Sequence, residues 1–238
     1  MPVDAPQTAA FDPDRFETWI FDLDNTLYPP EIDLFAQIDL KMKAFIARTL
    51  DMPVDEAFRI QKDYFHRYGT SLRGLMEEHN VEPEAFLEDV HDIDHGVLIP
   101  DPRLDALLHR LPGRKLIYTN GSMGHAERVL ESLLLSHHFD GIQHIASADY
   151  IPKPQEESYQ ALLKDHGVDP RRAIFFEDMH KNLKPAKEMG MATVWIRNTV
   201  HWSTDEEASL TPAYCDFITD DLVAWLDANV MAAPASSP

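Results

Sequence analysis

The chain has 238 residues, 44% of them hydrophobic and 10% aromatic, enough apolar mass for one large core or a core with an insertion. Its 41 acidic residues against 21 basic ones give a formal charge of −20, which argues against binding nucleic-acid polymers or anionic membrane surfaces. The single cysteine, Cys215, excludes an intramolecular disulfide and a thiolate metal cage, and is expected to be a small buried residue.

Taken in order, the N-terminal stretch MPVDAPQTAAFDPDRF has neither a basic region nor an apolar run, so no secretory signal is expected. No segment approaches the ~20 apolar residues of a membrane span, and the sequence reads as a soluble, cytoplasmic protein. The first buried strand is TWIF, residues 18–21, and it runs into Asp22 and Asp24. Two carboxylates so close repel each other unless something positive sits between them. From about Glu31 to about Leu98 only helical periodicity appears, bracketed by Pro29-Pro30 and by Pro100 and Pro102. This segment, 30–98, is expected to be a helical cap inserted into a core made of 1–29 and 99–230. Asp101-Pro102 has the form of a helix start, an N-cap followed by proline at the first helical position.

Beyond the cap, apolar runs and helical patterns alternate. Strands are expected at KLIYT (115–119), IQHIAS (142–147), AIFFE (173–177) and ATVWI (192–196), with DFIT (216–219) a weaker sixth. Helices over EESYQALLKDH and KPAKEM end at Gly167 and Gly190. Unbroken apolar strands alternating with helices predict a doubly wound α/β fold, a mostly parallel sheet buried on both faces. The small, proline-bearing tail 231–238 is expected to be disordered.

In such a sheet ligands bind beyond the carboxyl ends of the strands. Those ends carry Asp22 and Asp24, then Thr119-Asn120-Gly121, then Lys153 between two prolines, then Glu177-Asp178 with Asn182 four residues on. Clustered carboxylates with a lysine call for a hard divalent cation and a phosphate, and oxygen-only ligands point to Mg²⁺. Taken singly, Thr119 and Asn120 are equally turn formers, and Asn182 is equally a helix cap.

Four motifs in this order, FDLDNTLYPP, LIYTNGS, Lys153-Pro154 and FFEDMHKNL, resemble the haloacid dehalogenase superfamily of phosphohydrolases. The cap segment QKDYFHRYGTSLRGLM and the stretch HDIDH further resemble its pyrimidine 5′-nucleotidase-type branch. The resemblance implies that Asp22 is the nucleophile and Asp24 the general acid and base. It implies that Thr119 and the Asn120 amide, with Gly121 beside them, hold phosphoryl oxygens, and that Lys153 neutralises charge on Asp22 and the phosphoryl group. Mg²⁺ would rest on the Asp22 carboxylate, the Asp24 carbonyl and Asp178, with Glu177 direct or through water.

The expected reaction is hydrolysis of a small phosphate monoester, most closely UMP or CMP, by way of an aspartyl phosphate. A sugar phosphate or phosphoglycolate is the alternative substrate class, and a mutase, a dehalogenase or a non-catalytic binding protein are rivals. Tyr28, Tyr64, Arg67, Tyr68 and Arg73 are candidates for contacting the leaving group, with His66 and Thr70 among them. The competing reading of residues 64–73 is an ordinary amphipathic helix. HDIDH reads as the polar end of a cap helix at the hinge.

Overall fold

The computed structural model describes residues 11–198 and 211–230; the expected disordered tail lies outside that range. The core sheet is built from β1 (Thr18–Phe21), β2 (Arg114–Tyr118), β3 (Gly141–Gln143), β4 (Ala173–Glu177), β5 (Ala192–Ile196) and β6 (Phe217–Thr219). Their order across the sheet is β3-β2-β1-β4-β5-β6, and every pairing is parallel. β1 is therefore central, with its two neighbours arriving from opposite halves of the chain, which opens a crevice at its carboxyl end.

Alternation along the strands sorts side chains into two apolar layers. Trp19 and Phe21 face one side, where both rings stack on Phe176. Ile20 faces the other, with Leu116, Tyr118 and Phe175. All of these are essentially inaccessible, and burying one such side chain contributes about 2 kcal/mol. Helices α5 (Pro102–Arg110), α6 (Met123–Ser132), α7 (Glu156–His166), α8 (His180–Glu188) and the closing helix Leu222–Val230 accompany the sheet. The Asp101 carboxylate accepts the Arg103 amide, as the N-cap pattern predicts, and Gly167 ends α7 in the left-handed region.

Two expectations are corrected. The strand expected over 142–147 stops at Gln143, because the chain turns into a short 3₁₀ segment, Ile145–Ala148, whose Ile145 packs into the cap. Cys215 is half-buried rather than buried, packed at the edge of one apolar layer.

The cap comprises α1 (Leu34–Thr49), α2 (Val54–Tyr68), α3 (Ser71–His79) and α4 (Pro83–Val90), packed around Ile46, Leu75 and Phe86. Gly74 lies beneath the Tyr64 ring, where a Cβ would stand 2.4 Å from Tyr64 Cγ. Gly69 ends α2 at φ +87°, and a Cβ there would meet Pro152 Cγ at 3.2 Å and the Lys153 carbonyl at 3.4 Å. The end of α2 thus rests directly on the core loop that carries Lys153. Among the described residues, no helix is long and apolar enough to cross a membrane.

Candidate active site

The floor of the crevice is set by backbone. The Asp22 amide donates to the Phe176 carbonyl at 2.9 Å, continuing the β1–β4 ladder one residue past the strand. The chain then turns sharply, with Asn25 at φ +60° and the Thr26 hydroxyl donating to Asp22 Oδ2 at 3.1 Å. From the far side of β1 comes Lys153, only 2% exposed. Its Nζ donates to Asp22 Oδ1 at 2.7 Å, Glu177 Oε2 at 2.7 Å and the Tyr118 carbonyl at 2.8 Å. An ammonium has three donors, and all three are matched. The Asn120 side chain holds this loop in place, accepting the Lys153 amide at 2.9 Å and donating to the Lys153 carbonyl at 3.3 Å.

Electrostatics at the floor are unbalanced. Burial depresses the Lys153 amine, but Asp22 and Glu177 outweigh it and hold it above its ordinary value. Burial and then Glu177 push the Asp22 carboxyl up to about 7 in spite of Lys153. Burial, Glu177 and Asp22 likewise push Asp178 well up. Oxygens of Asp22, Glu177 and Asp178 all lie within 4.8 Å of one another, three carboxyl groups against one ammonium. This donor set suits a hard divalent cation. Glu177 is the least available of the three, since Oε2 holds Lys153 and Oε1 accepts the Met179 amide at 3.1 Å. Asp178 is steadied by Asn198 Nδ2 at 3.3 Å and through its carbonyl by Trp195 Nε1 at 2.8 Å.

Asp24 stands at the rim of the same crevice, its side chain 16% exposed. Tyr28 Oη donates to its Oδ1 at 2.6 Å and His125 Nε2 meets the same oxygen at 2.8 Å. Burial would raise this carboxyl, but His125 and the Tyr28 hydrogen bond bring it down to about 2. The two aspartates, two residues apart, are therefore driven in opposite directions. Thr119, at the end of β2, accepts the Gly121 amide on its Oγ1 at 2.9 Å, which leaves the hydroxyl proton to donate elsewhere. A Cβ on Gly121 would come within 3.2 Å of both His125 and Thr119, so this turn accommodates no side chain without movement.

Above the floor a cavity of about 310 Å³ extends into the cap. Asp22, Asp24, Thr119, Asn120, Gly121, Lys153, Glu177 and Asp178 line its base; Phe35, Ile38, Met42, Phe65, Leu72, Phe86 and Val90 are among its walls. His66 and Thr70 also reach it, but Tyr64, Arg67, Tyr68 and Arg73 do not line it, and neither does Tyr28, which is buried with its hydroxyl on Asp24. Tyr64 turns into the cap interior with its hydroxyl 2.7 Å from His79 Nε2. Arg67 pairs with Asp63 and Glu78, Tyr68 with Glu78, and Arg73 with Glu77, all on the outer surface. Tyr64, Arg67, Tyr68 and Arg73 are corrected as leaving-group contacts: on α2 it is Phe65 and the exposed His66 that border the cavity. Asn182 lies inside α8, where Met179 holds the N-cap position, and its carbonyl accepts Tyr159 Oη at 2.5 Å. Asn182 is therefore not a helix cap.

Asn198 and His125, which hold Asp178 and Asp24, were not singled out from the sequence, and neither were Phe35, Gln61, Phe65 and Leu72 of the cavity wall. Asn198 follows β5 and gives no local signal. His125 is more instructive: a histidine in the first turn of a helix that starts at a ligand-facing strand end. Its position five residues after Asn120 is a usable signal. His91 and His95 of HDIDH converge on it, so that stretch sits at the site after all.

Fold and site together define a doubly wound α/β core with helices closing over an acidic, lysine-braced crevice. The chain belongs to the haloacid dehalogenase-like hydrolases, whose family model matches residues 16–190. It is 28% identical over 209 residues to Phosphate metabolism protein 8 of Saccharomyces cerevisiae, covering 81% of this chain and 64% of that one. The chain thus spans just under two thirds of that relative's length. It is 27% identical over 224 residues to Glyceraldehyde 3-phosphate phosphatase of Methanocaldococcus jannaschii, covering 87% of this chain and 94% of that one. The HAD phosphatase of Thermococcus onnurineus shares the fold at a TM-score of 0.59 and 19% identity, over 89% of this chain and 96% of that one.

Proposed function

We propose that the protein is a Mg²⁺-dependent phosphomonoesterase that works through an aspartyl phosphate on Asp22. The observation that carries this reading is the pairing of Asp22, braced by Lys153 at 2.7 Å, with Asp24 two residues on in the same crevice. Asp22 attacks phosphorus as the ester oxygen departs, and Asp24 delivers the proton that oxygen needs. Asp24 then takes a proton from water, the water oxygen attacks the aspartyl phosphate, and phosphate leaves with Asp22 regenerated. Bringing a phosphate dianion beside Asp24 raises its proton affinity, which moves a carboxyl held at about 2 toward the acid form the first step requires. Thr119 donates to a phosphoryl oxygen, and Lys153 offsets charge there.

Mg²⁺, held by Asp22, Asp178 and the Asp24 carbonyl with Glu177 behind them, would supply charge neutralisation for the phosphoryl group and keep Asp22 ionised. The surplus of buried carboxyl groups supports this, and so does the upward displacement of Asp22 and Asp178. A binding measurement independent of turnover checks it: Mg²⁺ raises the melting temperature of the wild type and leaves that of Asp178→Asn unchanged.

For the leaving group we favour a pyrimidine nucleoside 5′-monophosphate. Phe35 and Phe65 offer flat faces and Leu72 an apolar wall suited to a ring. Gln61, 2% exposed, has an Oε1 with no hydrogen-bond partner, an acceptor available to a base N–H. A three-carbon phosphate is the second reading, supported by the similarity to Glyceraldehyde 3-phosphate phosphatase of Methanocaldococcus jannaschii. Phosphate release with Mg²⁺ from UMP, CMP, dUMP, dTMP, AMP, GMP and several sugar phosphates, with an EDTA control, separates them. Pyrimidine preference sustains the nucleotidase reading. Faster release from sugar or triose phosphates overturns it and leaves the core reaction standing. Metal-independent release, or none, overturns both.

A further inference from the structure

The acid–base carboxylate does not stand alone, and the group behind it belongs to none of the four sequence motifs. His125 is completely buried. An imidazole without hydrogen bonds is costly in that position, and both of its nitrogens are occupied. Nε2 lies 2.8 Å from Asp24 Oδ1, and Nδ1 lies 3.3 Å from His95 Nε2. One ring face stacks on His91, with centroids 4.4 Å apart and planes within 11°. His91 is itself fixed, with Nδ1 2.9 Å from Ser122 Oγ and its carbonyl accepting Arg128 at 3.2 Å. Both edges and one face of the His125 ring are thus determined, which leaves it a single orientation.

Resting on the phosphomonoesterase reading above, we infer that His125 is the positioning residue of the acid–base step, aiming Asp24 at the leaving oxygen and tying that aim to the cap hinge through His91 and His95. A carboxylate only accepts, so His125 Nε2–H is the donor, and with Tyr28 it places two donors on Oδ1. That leaves Oδ2 as the oxygen that exchanges a proton with the ester oxygen and later with water. Without His125 the carboxylate is held at Oδ1 by the Tyr28 hydroxyl alone, its rotation about χ2 is less restrained, and proton delivery loses geometry. His91 and His95 follow α4, where the chain leaves the cap, so the exit of the cap and the aim of Asp24 share one set of contacts.

The test uses the leaving group as the probe. A para-nitrophenolate leaves almost unaided, whereas an alkoxide requires a proton as it departs. kcat/KM reports the steps through the first bond cleavage, so its ratio between para-nitrophenyl phosphate and an alkyl phosphate such as butyl phosphate isolates proton delivery. His125→Leu is expected to lose about 10²-fold in kcat/KM on the alkyl ester, the usual contribution of a placed acid, and less than about 5-fold on the aryl ester. His125→Gln, which keeps an N–H near Nε2, is expected to restore most of the difference. His95→Ala, at a half-buried position, shifts the ratio the same way by a few-fold.

Equal losses on both esters, or no loss, overturn the assignment, since a structural role would lower both together. If His125→Leu does not fold, unchanged ratios in His125→Gln and His95→Ala overturn it equally. Wild-type protein that hydrolyses neither ester removes the phosphomonoesterase reading itself; an active wild type with invariant ratios removes only the role of His125.

Discussion

The floor of the crevice and the outer face of the cap contain the same kinds of residue and use them in opposite ways. On the floor, Lys153 at 2% exposure is held between two buried carboxylates at 2.7 Å each. On the cap, Arg67 pairs with Asp63 one helical turn away, both about half exposed, and Arg73, 31% exposed, pairs with Glu77 at the same spacing. Exposed i,i+4 pairs steady a helix slightly and are screened by salt. A buried triad has no water to fall back on, so charges there displace one another's proton affinities, as Asp22, pushed up to about 7 by burial and Glu177, shows. A charged side chain acquires chemistry by losing solvent, and residue type alone does not report that loss.

Four substitutions would break or sharpen this contrast. The largest effect is expected from Asp22→Asn, which keeps shape and removes the nucleophile: turnover falls by at least ~10⁴-fold with the fold intact by circular dichroism. Retention of turnover within about tenfold would end the floor's claim to the reaction. Next, Lys153→Met leaves Asp22 and Glu177 buried without their cation, and urea unfolding should register a loss of about 3–5 kcal/mol. A loss under about 1 kcal/mol, the range of exposed pairs, would erase the distinction between the two regions.

A smaller, pH-dependent effect belongs to His91. Burial, and then the neighbouring His125, hold this imidazole at about 3 against an ordinary 6.5. Between those values the unfolded chain binds the extra proton, so its contribution to stability is present above 6.5 and is lost as pH falls toward 3. Melting curves from pH 7 to pH 4 should drop less steeply for His91→Asn than for the wild type; parallel curves would show that His91 is not held neutral. Smallest of all, Arg67→Ala should leave both kcat/KM and melting temperature unchanged. A marked fall in kcat/KM would return this arginine to the site.

The same contrast explains what could be read from the chain beforehand. β1 and β4 were legible to the residue, since unbroken runs such as TWIF and AIFFE have no stable place except a strand buried on both faces. The strand ends were legible because carboxylates adjoining such strands enter the crevice whether or not their side chains have a role there. IQHIAS misled because its second half is apolar for a different reason, with Ile145 filling the cap rather than the sheet. In α2, Tyr64 and His66 are two residues apart, yet one closes the cap interior and the other meets the cavity. That choice depends on where α3 lies, which periodicity within α2 does not contain. His125 escaped for a related reason: its partners Asp24 and His95 are 101 and 30 residues away, and only the folded chain joins them.

Gly69 carries a consequence for engineering. At φ +87°, with Pro152 and the Lys153 carbonyl against its missing side chain, it is a seat on which the end of α2 rests beside the active-site lysine. Any chimaera that grafts a foreign lid onto this scaffold has to reproduce that seat as well as the chain crossings before α1 and after α4. A donor lid with a bulky residue there would be propped away from the scaffold, and its specificity would fail to transfer even if every residue lining its chamber had been copied.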